Sequence, residues 1–166
     1  MFLFVHFCSL CKESRERAGG KCPPHFAALD AAASAKAPDP APACFTRAAL
    51  GPLSQQKQSL TLAPIDAGAP ILLRTAQRVL AAPYHRNVAG NKEVIEIFLA
   101  DPALAQKRIK RAGVRFVAIC PFAADAKVLA AMAPTGLAAR LLGDEAFDWL
   151  APLHEQNAPL KIFEVR

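Results

Sequence analysis

The chain has 166 residues, 20 of them Lys or Arg against 14 Asp or Glu, for a formal charge of +6. Its hydrophobic share is 53%, yet 35 residues are alanine, so much of that share buries little area per side chain. Enough Leu, Ile, Val and Phe remain to exclude wholesale disorder, no run approaches the roughly 18 apolar residues of a membrane span, and five unevenly placed cysteines exclude a disulfide mini-protein.

In chain order, Met1 to Phe7 is apolar but short, without the basic region and small-residue cleavage site of a signal peptide. Cys8 to Lys21 is polar and charged, and Ala31 to Pro42 is an Ala/Pro stretch with the look of a linker. Residues 1–43 therefore read as a flexible or poorly structured leader, and residues 44–166 as the folded domain. Phe45 to Leu53 predicts a short helix. Leu60 to Ile65 reads as a buried strand closed by a turn at Asp66 and Gly68, with a brief helix over Pro70 to Arg74. Arg78 to Ala82 reads as a second strand, stopped by Pro83.

Ala89 to Ala100 has Val94, Ile97 and Phe98 at helical spacing. The next helix is fully punctuated: Asp101 as N-cap, Pro102 at the first position, Gly113 just past the end. Leu104, Ala105, Ile109 and Ala112 would form its apolar stripe. Val114 to Ile119 is a third strand, Ala124 to Ala133 a helix broken at Pro134 to Gly136, and Gly136 to Leu142 a further turn or two. Trp149 to Leu153 and Leu160 to Val165 read as a β-hairpin. Strands alternating with helices at this spacing predict an α/β domain: a small three-layer βαβ sheet, mostly parallel, with the hairpin at one edge.

Charge is unevenly spread. Residues 92–115 carry +3 and residues 116–166 carry −2. The densest basic run is Lys107, Arg108, Lys110, Arg111 and Arg115. Anionic lipid headgroups are one expected partner for it, and a solvated helix face is the plainer reading. A last turn rich in cations also suits the helix dipole. Nucleic acid is disfavoured, because one Tyr and one Trp leave little for base stacking.

Ligands of open α/β sheets sit beyond the carboxyl ends of the strands. Asp66, Tyr84, His85, Arg86, Asn87 and Asn91 would gather there. His85 can serve as an acid or base, Arg86 can grip an anion, and Asp66 can orient either. The alternative is a structural network that caps the next helix and satisfies the loop. There is no GxGxxG, Walker or GxSxG sequence, so no cofactor and no catalytic nucleophile are assigned. Cys8, Cys11, Cys22 and His25 have metal-style spacing, but Pro23 and Pro24 divide the second pair and little apolar sequence surrounds it. No metal site is assigned. Cys44 and Cys120 are a disulfide in an oxidising compartment or buried thiols in a reducing one.

Leu62-Ala-Pro-Ile-Asp66-Ala-Gly68, Arg78-Val-Leu-Ala-Ala-Pro-Tyr-His-Arg-Asn87 with Ala89-Gly90-Asn91, and Gly113 to Pro121 together resemble a known kind of domain. It is the soluble C-terminal domain of bacterial polytopic membrane proteins that look like GT-C-type glycosyltransferases, related in layout to protein mannosyltransferases and oligosaccharyltransferases. Trp149-Leu150 and the final Val165-Arg166 match the close of that domain. The resemblance implies a non-catalytic, periplasmic-type domain that packs on a membrane-embedded part of the same or a neighbouring protein. It implies a role in positioning an acceptor or lipid-linked donor, and favours a Cys44–Cys120 disulfide. Enzymes of that type keep their catalytic acid on a loop between transmembrane helices, so no catalytic residue carries over and the chain reads as truncated. The alternative function is a small stand-alone enzyme or ligand-binding domain using the rim of Asp66, His85 and Arg86.

Overall fold

A computed structural model describes residues 41–166. Cys8, Cys11, Cys22 and His25 lie outside the described residues. A 3-10 turn, Ala41–Phe45, leads through turns to the one-turn helix α1 (Gly51–Ser54). The expected helix over 45–53 does not form as one piece. Pro52 has no N–H to give to the preceding turn, and it sits instead in the opening turn of α1.

The sheet runs in the order β2-β1-β3-β5-β4. β1 (Leu60–Leu62) pairs parallel with β2 (Arg78–Val79) and β3 (Val114–Ile119), while β5 (Lys161–Val165) pairs antiparallel with β3 and β4 (Leu150–Pro152). The terminal hairpin thus adds two antiparallel strands at one edge of a parallel core, and the mixed α/β architecture is as the alternation predicts. β3 is central and buried at five of six positions, which explains its nearly unbroken apolar sequence.

Between the strands lie α2 (Ile65–Arg74), α3 (Val88–Leu99), α4 (Pro102–Ala112), α5 (Ala124–Met132) and α6 (Leu137–Leu142). α2 packs against β2 and the 41–45 turn; α3 packs against α4, α5 and α6. α4 follows its punctuation closely. Asp101 accepts from Ala103 and Leu104 N–H at 3.1 Å, and Gly113 closes the helix at φ 69°. Leu104, however, is exposed, so the stripe narrows to Ala105 and Ile109, with Ala112 at its border.

The turn expected at Asp66 and Gly68 is a helix. β1 ends at Leu62, and α2 begins at Ile65 with Asp66 in its first turn, where a carboxylate meets the favourable end of the helix dipole. Gly68 is needed for approach: a Cβ there would collide with the Ala81 carbonyl and lie 2.7 Å from Ala82 Cα. The second strand is also shorter than expected, although Leu80 N–H still donates to Thr61 O at 3.1 Å.

Phe98, Phe116, Leu50, Leu53, Leu62 and Ile71 are among the fully buried side chains of one core. Buried alanines 63, 67, 81, 118, 126 and 138 fill the remaining close approaches. Cys44 and Cys120 are bonded, Sγ to Sγ at 2.04 Å, joining the first turn to the end of β3 across 76 residues. Among the described residues one cation is buried. Lys161 Nζ donates to the Leu141 and Leu142 carbonyls at 2.8 and 3.2 Å and pairs with Asp144, whose carboxyl its hydrogen bond holds below the usual carboxylate value.

Candidate functional site at the strand ends

β1 is followed by a helix that returns to β2 on one side, while β3 lies on β1's other side and is followed by α5, which packs on α3. The connections leaving β1 and β3 therefore diverge, and such a switch point is where open α/β sheets leave a crevice. Asp66 and Asp125 meet there. Asp125 Oδ2 accepts the Asp66 N–H at 3.0 Å, and its Oδ1 accepts from Ala126 N–H at 2.8 Å. One carboxylate thus ties the first turn of α2 to the first turn of α5. Burial, and then the negative charge of Asp125, raise the Asp66 carboxyl above its ordinary value. Sequence reasoning missed Asp125. Its only signal was its place, shortly after the third strand and in the first turn of a helix.

The loop that follows β2 forms the other half of the rim. Asn87 is turned inward: its amide donates to Leu80 O at 3.1 Å, and its Oδ1 accepts from Gly90 N–H at 3.3 Å as the N-cap of α3. Its backbone N–H closes the loop on Tyr84 O at 3.0 Å. A Cβ on Gly90 would collide with the Leu80 carbonyl and stand 2.5 Å from Asn87 Nδ2. Gly68 and Gly90 thus let two helices close on the segment from Leu80 to Asn87. Asn91 is half-buried on α3, and its Oδ1 is enclosed without a hydrogen-bond partner among the described residues.

This fixed backbone presents three side chains to solvent. Tyr84 is 54% exposed, and His85 and Arg86 are exposed beside it. The Tyr84 and His85 rings lie 5.3 Å apart in a tilted contact. None of the three side chains makes a hydrogen bond or ion pair among the described residues, and none is joined to Asp66. Asp66 is engaged with Asp125 instead. What the rim offers is a preset cation, an imidazole and a phenol facing outward, suited to gripping an anion or a sugar hydroxyl face.

The basic run is placed differently from the rim. Arg108 pairs with Glu96 at 2.7 Å and Glu93 at 3.3 Å, Arg111 with Glu93 at 3.4 Å, and Arg115 with Glu164 at 2.6 Å. Only Lys107 and Lys110 of that run are unpaired among the described residues. A groove of about 670 Å³ lies elsewhere, between Thr46 to Gln56 and Leu153 to Pro159, with no wall from the rim. Among the described residues no group of three or more His, Cys, Asp or Glu is placed to hold a metal ion, and no helix is long and apolar enough to cross a membrane.

No family model matches the sequence, and no curated protein is significantly similar to it. Solved structures do share its fold. One is the C-terminal globular domain of an oligosaccharyltransferase from Archaeoglobus fulgidus, with a TM-score of 0.51 and 17% identity over 69% of this chain and 89% of that one. At that identity the likeness is one of fold.

Proposed function

We propose that residues 44–166 are a non-catalytic domain of a membrane glycosyltransferase-like protein, preceded by a leader at 1–43. The domain packs beside a membrane-embedded part, on the periplasmic face, and positions an acceptor or lipid-linked donor. The observation that carries the reading is the Tyr84-His85-Arg86 loop. Its side chains form no hydrogen bond or ion pair among the described residues, while Asn87, Gly68 and Gly90 hold its backbone. Likeness of fold to an oligosaccharyltransferase domain supports the setting, and a bonded Cys44 and Cys120 suit an oxidising compartment. The alternative of a small enzyme using His85 with Asp66 is less well supported, since no hydrogen bond joins the two.

A short-chain prenyl diphosphate serves as a probe for a lipid-linked donor. Titrating the chain with a short-chain prenyl diphosphate in detergent micelles, followed by amide chemical shifts, tests the reading. Shifts confined to residues 83–91, and binding about tenfold weaker for Arg86→Ala with circular dichroism unchanged, are expected from loss of one charge-assisted contact. Equal binding by the variant, or shifts elsewhere, would refute it.

A further inference from the structure

We infer that the last turn of α2 and the residues around it are a docking surface for an anionic phospholipid bilayer, a reading that rests on the domain belonging to a membrane protein. The buried residues of α2 are Ala67, Gly68 and Ile71, so the positions after Ile71 turn outward. Leu72 is 50% and Leu73 77% exposed, side by side at the helix end. Cations follow on the same turn and on neighbouring segments. Arg74 lines a depression of about 430 Å³ with Phe45 and Thr46, and Arg47 follows Thr46. Arg78 follows Gln77, whose buried amide donates to the carbonyls of Leu53, Gln56 and Lys57 at 3.2 Å, which brings Lys57 to the same end.

None of Arg47, Lys57, Arg74 and Arg78 forms an ion pair among the described residues. From residue 41 to residue 91 the sequence has five cations and one carboxylate, Asp66. Asp66 stands in the first turn of α2, about 12 Å along the axis from Arg74, beyond the roughly 8 Å Debye length of physiological salt. Asp125 lies at that same far end, against the Asp66 N–H, and Glu155 belongs to the groove on the other side of Thr46. Apolar tips flanked by cations on long stems match a bilayer interface: leucines enter the acyl boundary while guanidinium and ammonium groups stay with the headgroup phosphates. Charge complementarity therefore selects an anionic membrane over a neutral one.

Co-sedimentation of the full 166-residue chain with vesicles is the test. Phosphatidylcholine vesicles should leave the chain in solution, and vesicles mixed with phosphatidylglycerol should bind it. Arg74→Gln with Arg78→Gln should weaken that partition by roughly 25-fold, at about fivefold per cation. Leu72→Ser with Leu73→Ser should weaken it by at least about tenfold, since two exposed apolar side chains no longer enter the interface. Lys107→Gln with Lys110→Gln should change it less than about twofold, because the exposed apolar side chain on their face is the single Leu104, against the adjacent Leu72 and Leu73 at the end of α2. Circular dichroism verifies that each variant is folded.

Failure of the wild-type chain to bind anionic vesicles overturns the inference. So does equal weakening by the α4 lysine variant. A dimer in sedimentation velocity that Leu73→Ser dissociates, with vesicle binding unchanged, would assign the surface to a second copy instead. These vesicles carry no prenyl diphosphate and these variants leave Arg86 intact, so the result is read separately from that of the strand-end rim.

Discussion

Helices α2 and α4 both carry arginine in the last turn, and the two ends differ in what surrounds them. In the last turns of α4, Arg108 and Arg111 reach across to Glu93 and Glu96 of α3, and Arg115 beyond the helix meets Glu164 of β5. At the end of α2, Arg74 has Phe45, Thr46 and two exposed leucines for neighbours and forms no ion pair among the described residues. The denser basic run is therefore the more neutral surface, and the sparser one has its charge available. What counts for a partner is not the number of cations but the number left without an acid, which depends on which elements pack alongside.

The largest test of this contrast removes the tie beneath the α2 surface. Replacing Cys44 and Cys120 by alanine, or reducing the bond, should cost about 4–5 kcal/mol for a loop closed across 76 residues. The midpoint of denaturation with and without reductant measures it. The loss should free the 41–45 turn from α2 while leaving the α4 ion pairs in place. An unchanged midpoint would mean that the bond does not form in solution.

A somewhat smaller effect is expected from Gly68→Ala, which forces α2 off the Ala81-Ala82 segment. Overpacking at a backbone contact costs about 1–3 kcal/mol. The shift should also disturb the seat of Leu72 and Leu73, so amide shifts should move at both ends of α2 and little in α4. The smallest effect is at α4 itself. Arg108→Ala leaves Glu93 and Glu96 facing one another across a partly exposed surface and should cost about 1 kcal/mol in urea denaturation, against near zero for Lys110→Gln. Equal costs would show that the α4 pairs are not formed, and the contrast between the two helix ends would fail.

Legibility in the sequence varied with how local the determinants were. α4 is readable because Asp101, Pro102 and Gly113 act on their own backbone within a few residues. The hairpin and β3 are readable from apolar runs and their breaks. α2 is not, since Asp66, Gly68 and Pro70 have the composition of a turn, and only the close passage of residues 81 and 82 explains the glycine. At the strand ends, Tyr84, His85 and Arg86 were visible as candidate groups. That Asn87 points inward as a helix cap, and that Asp66 is engaged by Asp125 59 residues away, were not.

Length, alanine content and the spacing of apolar runs by themselves determined a modest α/β domain in the C-terminal three quarters of the chain. They did so because helical and strand periodicity are properties of contiguous residues. The tertiary structure alone decided which charges are spent and which are free. Ion pairing, the approach of two helix N-termini and the exposure of Leu73 depend on segments tens of residues apart being brought within a few ångströms. The alanines that first looked like a diluted core are part of that outcome, because small side chains let those segments come close.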